Sequence, residues 1–388
     1  MPIDSEKPNP WLEVISKHPR AQLAVDRVTA VINGKQPDRV PFSDGLWAEF
    51  AERYRVDRGL PPDASMAEHF DYDYTGPSVP LHGPWPSEVG TMGRDADGYL
   101  LRRSEYGLTT RALEGTTAVP QNVDCKIKQK RDLDRFPFED PRDPARFEGI
   151  EKAFPGICKR FCPIMKLGGP FSRSWMMRGI SQFLLDLAGD RAFAKEIVDR
   201  ITDLMIAVGL AAIERLNPPR ILWHLADDFA STSAPLFSPR DYEDIFLPNL
   251  KKMVDVLHAE GFKVSYESEG NVAPMLDLLD ESGVDGLAHM EPRAGLFMHE
   301  IRERYGDRFF FMGNLCNALV LPSNDRRQIG EEVLRVLSAA TDGYYMGLSA
   351  HSIAPDVTSD SYDYFWDLMN RYGRYPIDLD GLRREIQE

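Results

Sequence analysis

Residues 262–290, FKVSYESEGNVAPMLDLLDESGVDGLAHM, decide the fold. They hold a short apolar run, Phe262–Tyr266, then a stretch with apolar residues at helical spacing (Met275, Leu278, Leu279), then a second apolar run, Val284–Met290. A strand, a helix and a strand in that order make two parallel strands joined by a crossover. The same alternation continues outward from this unit. Upstream lie the strand candidates Arg160–Leu167 and Arg220–Leu225; downstream lie Arg308–Met312 and Tyr344–Leu348. Ser238-Pro239 is a start signal for a helix over Asp241–His258. Two further strand candidates, near Val40 and over Tyr72–Gly76, raise the number to eight. Eight such strands close on themselves, so the expected fold is α/β, a (β/α)8 TIM barrel. An open doubly wound sheet is the alternative, and the absence of GxGxxG after the first strand counts against it.

The rest of the chain fits around this barrel as one domain, residues 1–388. Residues 1–20 are polar and proline-bearing and read as an arm. A helix fits Arg20 to Ile32 and stops at Asn33-Gly34. Residues 46–150 are rich in Pro, Gly and Asp and read as an irregular excursion over the barrel mouth. Within it, Asp95-Ala96-Asp97-Gly98 marks a hairpin turn.

A net charge of −15 argues against a nucleic-acid partner and against docking on an anionic membrane, both of which need excess Lys and Arg. The four cysteines form no CxxC pair or disulfide framework. No stretch is apolar enough to span a bilayer, and the segment MPIDSEKPNPW lacks the apolar core of a signal peptide. These features together fit a reducing cytoplasm.

In a barrel of this kind the chemistry sits in the loops after the strands. Phe171, Arg173 and Trp175 follow the third strand, and Asp227 and Asp228 the fourth. Tyr266, Glu267 and Glu269 end the fifth, Glu291 follows the sixth, Asn314 the seventh and His351 the eighth. Alternate strand residues share a face, so Glu267 and Glu269 are expected side by side. Adjacent carboxylates repel, and a cation between them relieves this. His351 completes a candidate metal set of Glu267, Glu269 and His351, whose oxygen and imidazole donors suit zinc. The same glutamates could instead hydrogen-bond to Arg173 or Arg293. Of Asp227-Asp228 only one can face the cavity; Asp228, just past the strand end, is favoured. Glu291 is a candidate acid or base, or else an ion-pair partner of Arg293. His224 reads as a core or supporting histidine, His289 has no distinctive neighbour, and Cys316 reads as a ligand, a nucleophile or a buried thiol.

These residues also carry a family pattern. Arg27, Asn33-Gly34 and Pro37-Asp38-Arg39-Val40-Pro41 are followed in order by Gly169-Pro170-Phe171, Arg178-Gly179, Asp227-Asp228, Phe237-Ser238-Pro239 and Pro248. Glu267–Asn271, Glu291-Pro292, Gly313-Asn314 and His351-Ser352-Ile353-x-Pro355-Asp356 complete it. The chain resembles the uroporphyrinogen decarboxylase-like superfamily, which includes corrinoid-dependent methyltransferases, over residues 20–376. That resemblance implies a TIM barrel and one of two chemistries. True decarboxylases carry an arginine-rich segment after the first strand, but here that region reads Phe42-Ser43-Asp44-Gly45-Leu46-Trp47. The methyltransferase branch holds zinc with His-x-Cys and a later Cys; Glu267, Glu269 and His351 take those places here. Fewer thiolates leave zinc more Lewis-acidic, suited to a methyl ether. The implied activity is an O-demethylase type of methyltransferase. It would move methyl from a methoxylated small-molecule donor, aromatic or aliphatic, to the cobalamin of a separate corrinoid protein, since this chain lacks DxHxxG. Asp228 and Glu291 are its expected catalytic residues, and Phe171, Arg173, Trp175, Tyr266 and Asn314 its expected substrate contacts. A homodimer fits the apolar helix faces of such barrels. The rivals are a metal-free decarboxylase or lyase, and a barrel that binds without turnover.

Overall fold

A computed structural model describes residues 9–76, 82–114 and 120–387. Eight parallel segments close a barrel. They are β1, centred on Phe42; β2, Tyr74–Thr75; β3, Cys162–Pro163 running on as Met165–Gly168; β4, Leu222–Ala226; β5, Lys263–Glu267; β6, Gly286–Met290; β7, Phe310–Gly313; and β8, Tyr345–Met346. β3 to β8 form one continuous parallel sheet. β2 pairs with the start of β3, and Phe42 bridges Gly347 just past β8. The remaining seam, between β1 and β2, is held by Asp73, whose peptide N–H donates to the Phe42 carbonyl while its carboxylate accepts from the Phe42 N–H at 2.9 Å.

The apolar runs form strands because they are buried on both faces, one filling the barrel and the other meeting the helices. Ladder register sorts the inward side chains into rings. Gly168, Ala226, Glu267, Ala288, Met312 and Met346 lie level with one another around the sheet. One step below lie Lys166, His224, Ser265, Gly286 and Phe310. The Phe310 ring fills the space that a side chain at 286 would need, so this lower ring is partly plugged. In the upper ring the small Ala226 and Ala288 flank Glu267 and leave a hollow, floored by Lys166, His224, Ser265 and Phe310 of the ring below.

The N-terminal face carries a buried charge cluster. Asp73 is fully buried and accepts from Arg39 at 2.7 and 3.0 Å and from Arg27 at 2.9 Å. Residues 10–20 differ from the expected arm. Asn9 caps a helix, Pro10–Ser16, whose Trp11 edge-packs on Phe154 and donates its indole N–H to the Leu216 carbonyl.

The excursion is more regular than its composition suggests. It holds a helix, Ala48–Asp57, and a four-stranded antiparallel meander, Gly90–Arg94, Leu100–Arg103, Leu108–Ala112 and Gln121–Cys125. The turn at Asp95–Gly98 joins its first two strands, with Gly98 at φ 87°. The sequence showed the first hairpin but not the other two strands, because most of this sheet faces solvent and shows no apolar alternation. The meander packs against the helix Pro170–Arg178 that leaves β3. Among the described residues no helix is long and apolar enough to cross a membrane, and the four cysteines are unbridged.

Candidate functional site at the barrel mouth

The inward carboxylate of Glu267 sits at the centre of the mouth. His224 Nε2 lies 2.5 Å from Glu267 Oε2, and His289 Nε2 lies 3.8 Å from the same oxygen. One donor atom from each of these three residues falls within 4.8 Å of the other two. Each imidazole is fixed by its other nitrogen, His224 Nδ1 on Ser265 Oγ at 2.9 Å and His289 Nδ1 on the Ala350 carbonyl at 3.3 Å. Burial pushes the His224 pKa down, which favours the neutral imidazole. Burial also opposes ionisation of Glu267, but the field of His289, the His224 hydrogen bond and the Lys166 charge outweigh it. They hold this carboxyl well below the usual range.

The expected metal set is therefore split. Glu267 joins His224 and His289, while Glu269 pairs separately with His351, Oε2 to Nε2, at 3.2 Å. The reason is that β5 ends at Glu267. Beyond it the backbone turns through Gly270 at φ 80°, where a Cβ would lie 2.5 Å from the Ser231 carbonyl oxygen. Alternation of side chains holds only while the strand is extended.

The Glu269 hydrogen bond raises the His351 pKa to about 9 against partial burial, so the pair is ionic at neutral pH. A raised histidine pKa adds stability that is complete below about pH 6.5 and disappears as pH climbs through 9. An NMR titration should place the His351 midpoint near 9, and in Glu269→Gln it should fall by a unit or more; an unchanged midpoint would rule out this partnership.

Asp228 faces the same cavity, its Oδ1 accepting from the Glu269 N–H at 3.2 Å. Although Asp228 is solvent-exposed, loss of hydration to the protein around it, then the nearby Glu267 and Glu269, push its pKa up to about 6. Asp227 points the other way. It caps the helix after β3 by accepting from the Phe171 and Ser172 N–H groups at 3.1 and 2.5 Å, and it accepts the Tyr266 hydroxyl at 2.7 Å.

Several expected contacts lie elsewhere. Tyr266 is buried on the outer face of β5 against Phe229, and Phe171 is buried among Phe183, Phe237 and Phe246, so neither lines the hollow. Tyr266 precedes inward Glu267 on an extended strand, and alternation turns it toward the helices; Phe171 lies in the first turn of the helix Pro170–Arg178 and faces that aromatic cluster. Asn314 is a saturated buried clamp, accepting from the Met298 N–H and Arg335 and donating to the Met290 and Leu296 carbonyls. Glu291 lies at the rim, tied to Arg293 at 2.5 Å and to the Gly270 N–H at 3.2 Å, which suits a structural tie better than proton transfer. Trp175 is half-buried against the core, and Arg173 reaches the mouth. Cys316 is a buried thiol outside the His–Glu–His group.

His224 and His289 escaped the sequence reading for different reasons. His224 sits inside the run RILWHL and looks like core, although its position two residues before the strand end matches that of inward Ser265. His289 points inward only because its φ is 54°, at a register shift in β6.

A closed parallel barrel with its titratable groups at the C-terminal strand ends has the form of a (β/α)8 enzyme. The sequence profile described as uroporphyrinogen decarboxylase (URO-D) matches residues 104–372, and the chain belongs to that family. Among solved structures, a methyltransferase from Methanosarcina mazei superposes with a TM-score of 0.64 at 16% identity, over 90% of this chain and 98% of that one. That likeness establishes the shared fold. Among curated proteins, none matches the sequence.

Proposed function

We propose that the protein is a zinc-assisted methyltransferase that takes a methyl group from a methoxylated small molecule and passes it to the reduced corrinoid of a partner protein. The His224–Glu267–His289 group carries this reading. Two imidazoles and one carboxylate are the donor set of catalytic zinc sites, which keep a fourth position for substrate, and both rings already have the outer hydrogen bonds such ligands need. When bound there, zinc supplies a Lewis acid for the ether oxygen.

The chain's own residues do the rest. Ala226 and Ala288 leave room beside Glu267, and Met312 and Met346 give an apolar wall that keeps water from the methyl carbon. As the carbon–oxygen bond breaks, its electron pair stays on oxygen and the methyl passes to the acceptor. Asp228 gives that oxygen a proton, a task that a pKa raised to about 6 suits near neutral pH. The Glu269–His351 ion pair sits at the rim, its two charges offsetting each other. Decarboxylation of a polyacidic tetrapyrrole finds no support, because Asp44, bonded to Ser349 and Tyr362, stands where an arginine-rich segment would grip carboxylates.

Elemental analysis of protein purified under zinc-replete conditions tests this assignment. Wild type and Glu269→Ala should hold about one zinc per chain, and His289→Ala much less. Metal-free wild type would shift the reading to a metal-free decarboxylase or lyase. Loss of metal in Glu269→Ala with retention in His289→Ala would assign the site to the outer pair.

A further inference from the structure

The two imidazoles of the inner group carry their protons on opposite nitrogens, and their outer partners explain why. His289 Nδ1 faces the Ala350 carbonyl at 3.3 Å. A carbonyl only accepts, so Nδ1 holds the proton and Nε2 keeps a bare lone pair. The 3.8 Å from His289 Nε2 to Glu267 Oε2 agrees, since a shared proton would draw these atoms within about 3.2 Å. His224 is the reverse. Its Nε2 lies 2.5 Å from Glu267 Oε2, a separation that needs a proton between ring and carboxylate. With Glu267 ionised, that proton sits on Nε2, and a neutral ring then leaves Nδ1 as an acceptor. Nδ1 meets Ser265 Oγ at 2.9 Å, so the hydroxyl donates to it.

This arrangement suits the empty group and blocks ligation through His224, because a ligating nitrogen must be free of its proton. To ligate, the ring has to hold its proton on Nδ1 instead, and a buried Nδ1–H needs an acceptor. Ser265 is fully buried, and His224 is its hydroxyl's one partner among the described residues. A hydroxyl accepts as readily as it donates, so Ser265 supports either tautomer with no heavy atom moving. A carbonyl in its place would support only the ligating tautomer, and a methyl group neither. Strand register keeps the pair together. His224 of β4 and Ser265 of β5 are direct neighbours in the parallel ladder, with Glu267 the next residue up on the same face.

We propose that Ser265 is a positioning residue that lets His224 exchange tautomers as the site fills, from Nε2–H bonded to Glu267 to Nδ1–H bonded to Ser265. One proton leaves Nε2 for solvent and one is taken up from solvent at Nδ1, so the ring stays neutral. This deepens the proposed function and rests on it for the metal.

The test is NMR of the full chain with isotopically labelled histidine, first free of metal and then with stoichiometric zinc. The two rings are assigned by the signals lost in His224→Gln and His289→Gln. In metal-free wild type, His224 should show Nε2–H and His289 Nδ1–H; with zinc, both should show Nδ1–H. Ser265→Ala should keep the metal-free tautomers, because Glu267 alone sets that of His224. It should weaken zinc binding by about 10- to 100-fold in chelator competition, since the ligating tautomer then buries an unpaired N–H. Ser265→Thr restores the hydroxyl and should recover most of that loss. The tautomers of wild type decide the matter even if Ser265→Ala fails to fold. The same tautomer on both rings, or a doubly protonated His224, in metal-free protein would overturn the proposal. So would zinc uptake that leaves His224 unchanged. Equal zinc affinity in wild type and Ser265→Ala overturns the role of Ser265 and leaves the zinc reading standing. Failure of wild type to take up zinc overturns that reading and the exchange together.

Discussion

Asp73→Ala is expected to lower the folding free energy by about 3–5 kcal/mol, the usual cost of breaking a buried ion pair from one side. The carboxylate has no solvent exposure and is the meeting point of Arg39, Arg27 and the Phe42 N–H. Removing it leaves Arg39 nearly buried, with Asp71 at 3.6 Å and the Val40 carbonyl as its remaining acceptors. Arg27 loses less, because Asp38 still holds it through two hydrogen bonds at 2.7 Å. The Phe42 N–H is left without an acceptor at the one seam of the barrel where a side chain replaces a ladder bond. The cost is therefore both electrostatic and topological. Asp73→Asn keeps an acceptor for Phe42 but not the charge, and should fall between wild type and alanine. Urea unfolding reads the effect directly; a loss below about 1 kcal/mol would show that the arginines re-pair or hydrate at little cost.

Glu267→Gln is expected to lower methyl transfer by about a thousandfold or more, some 4 kcal/mol of barrier. The amide is nearly isosteric, so the hollow keeps its shape. It no longer offers an anionic oxygen between the imidazoles of His224 and His289, and zinc content should fall with activity. Glu269→Gln breaks only the rim pair with His351 and should cost about tenfold or less. The contrast between two glutamates two residues apart is the decisive part of the measurement. Comparable losses at both would mean that the rim pair, not the inner group, carries the chemistry.

The sequence revealed the barrel because six of its strands are short, largely apolar, buried runs separated by helices with clear periodicity. The runs at Phe262–Tyr266 and Val284–Met290 overlap β5 and β6 closely. Closure was harder to read. β1 and β2 are one or two residues long, and part of their pairing runs through an aspartate side chain, which no periodicity encodes. At the site, Glu267 was legible as a charge ending an apolar strand. Its partners were not, since which residue of β4 stands beside β5 depends on register, set by packing around the whole barrel. The error over Tyr266 was avoidable: if Glu267 faces inward, its neighbour on an extended strand cannot. Asn314 shows the opposite limit, because a polar residue just past a strand end serves equally well as a substrate contact or as a clamp, and only its four partners decide.

The positive φ of His289 carries one more consequence. A non-glycine residue in that region costs about 1–3 kcal/mol and persists only where its surroundings enforce it. Here the ladder between β6 and β7 pins the chain on both sides of residue 289. The imidazole is therefore aimed by the fold itself, before any ion arrives. Loading the site should be a matter of docking rather than rearrangement, and amide exchange across β6 should look the same in protein stripped of metal and in protein replete with it.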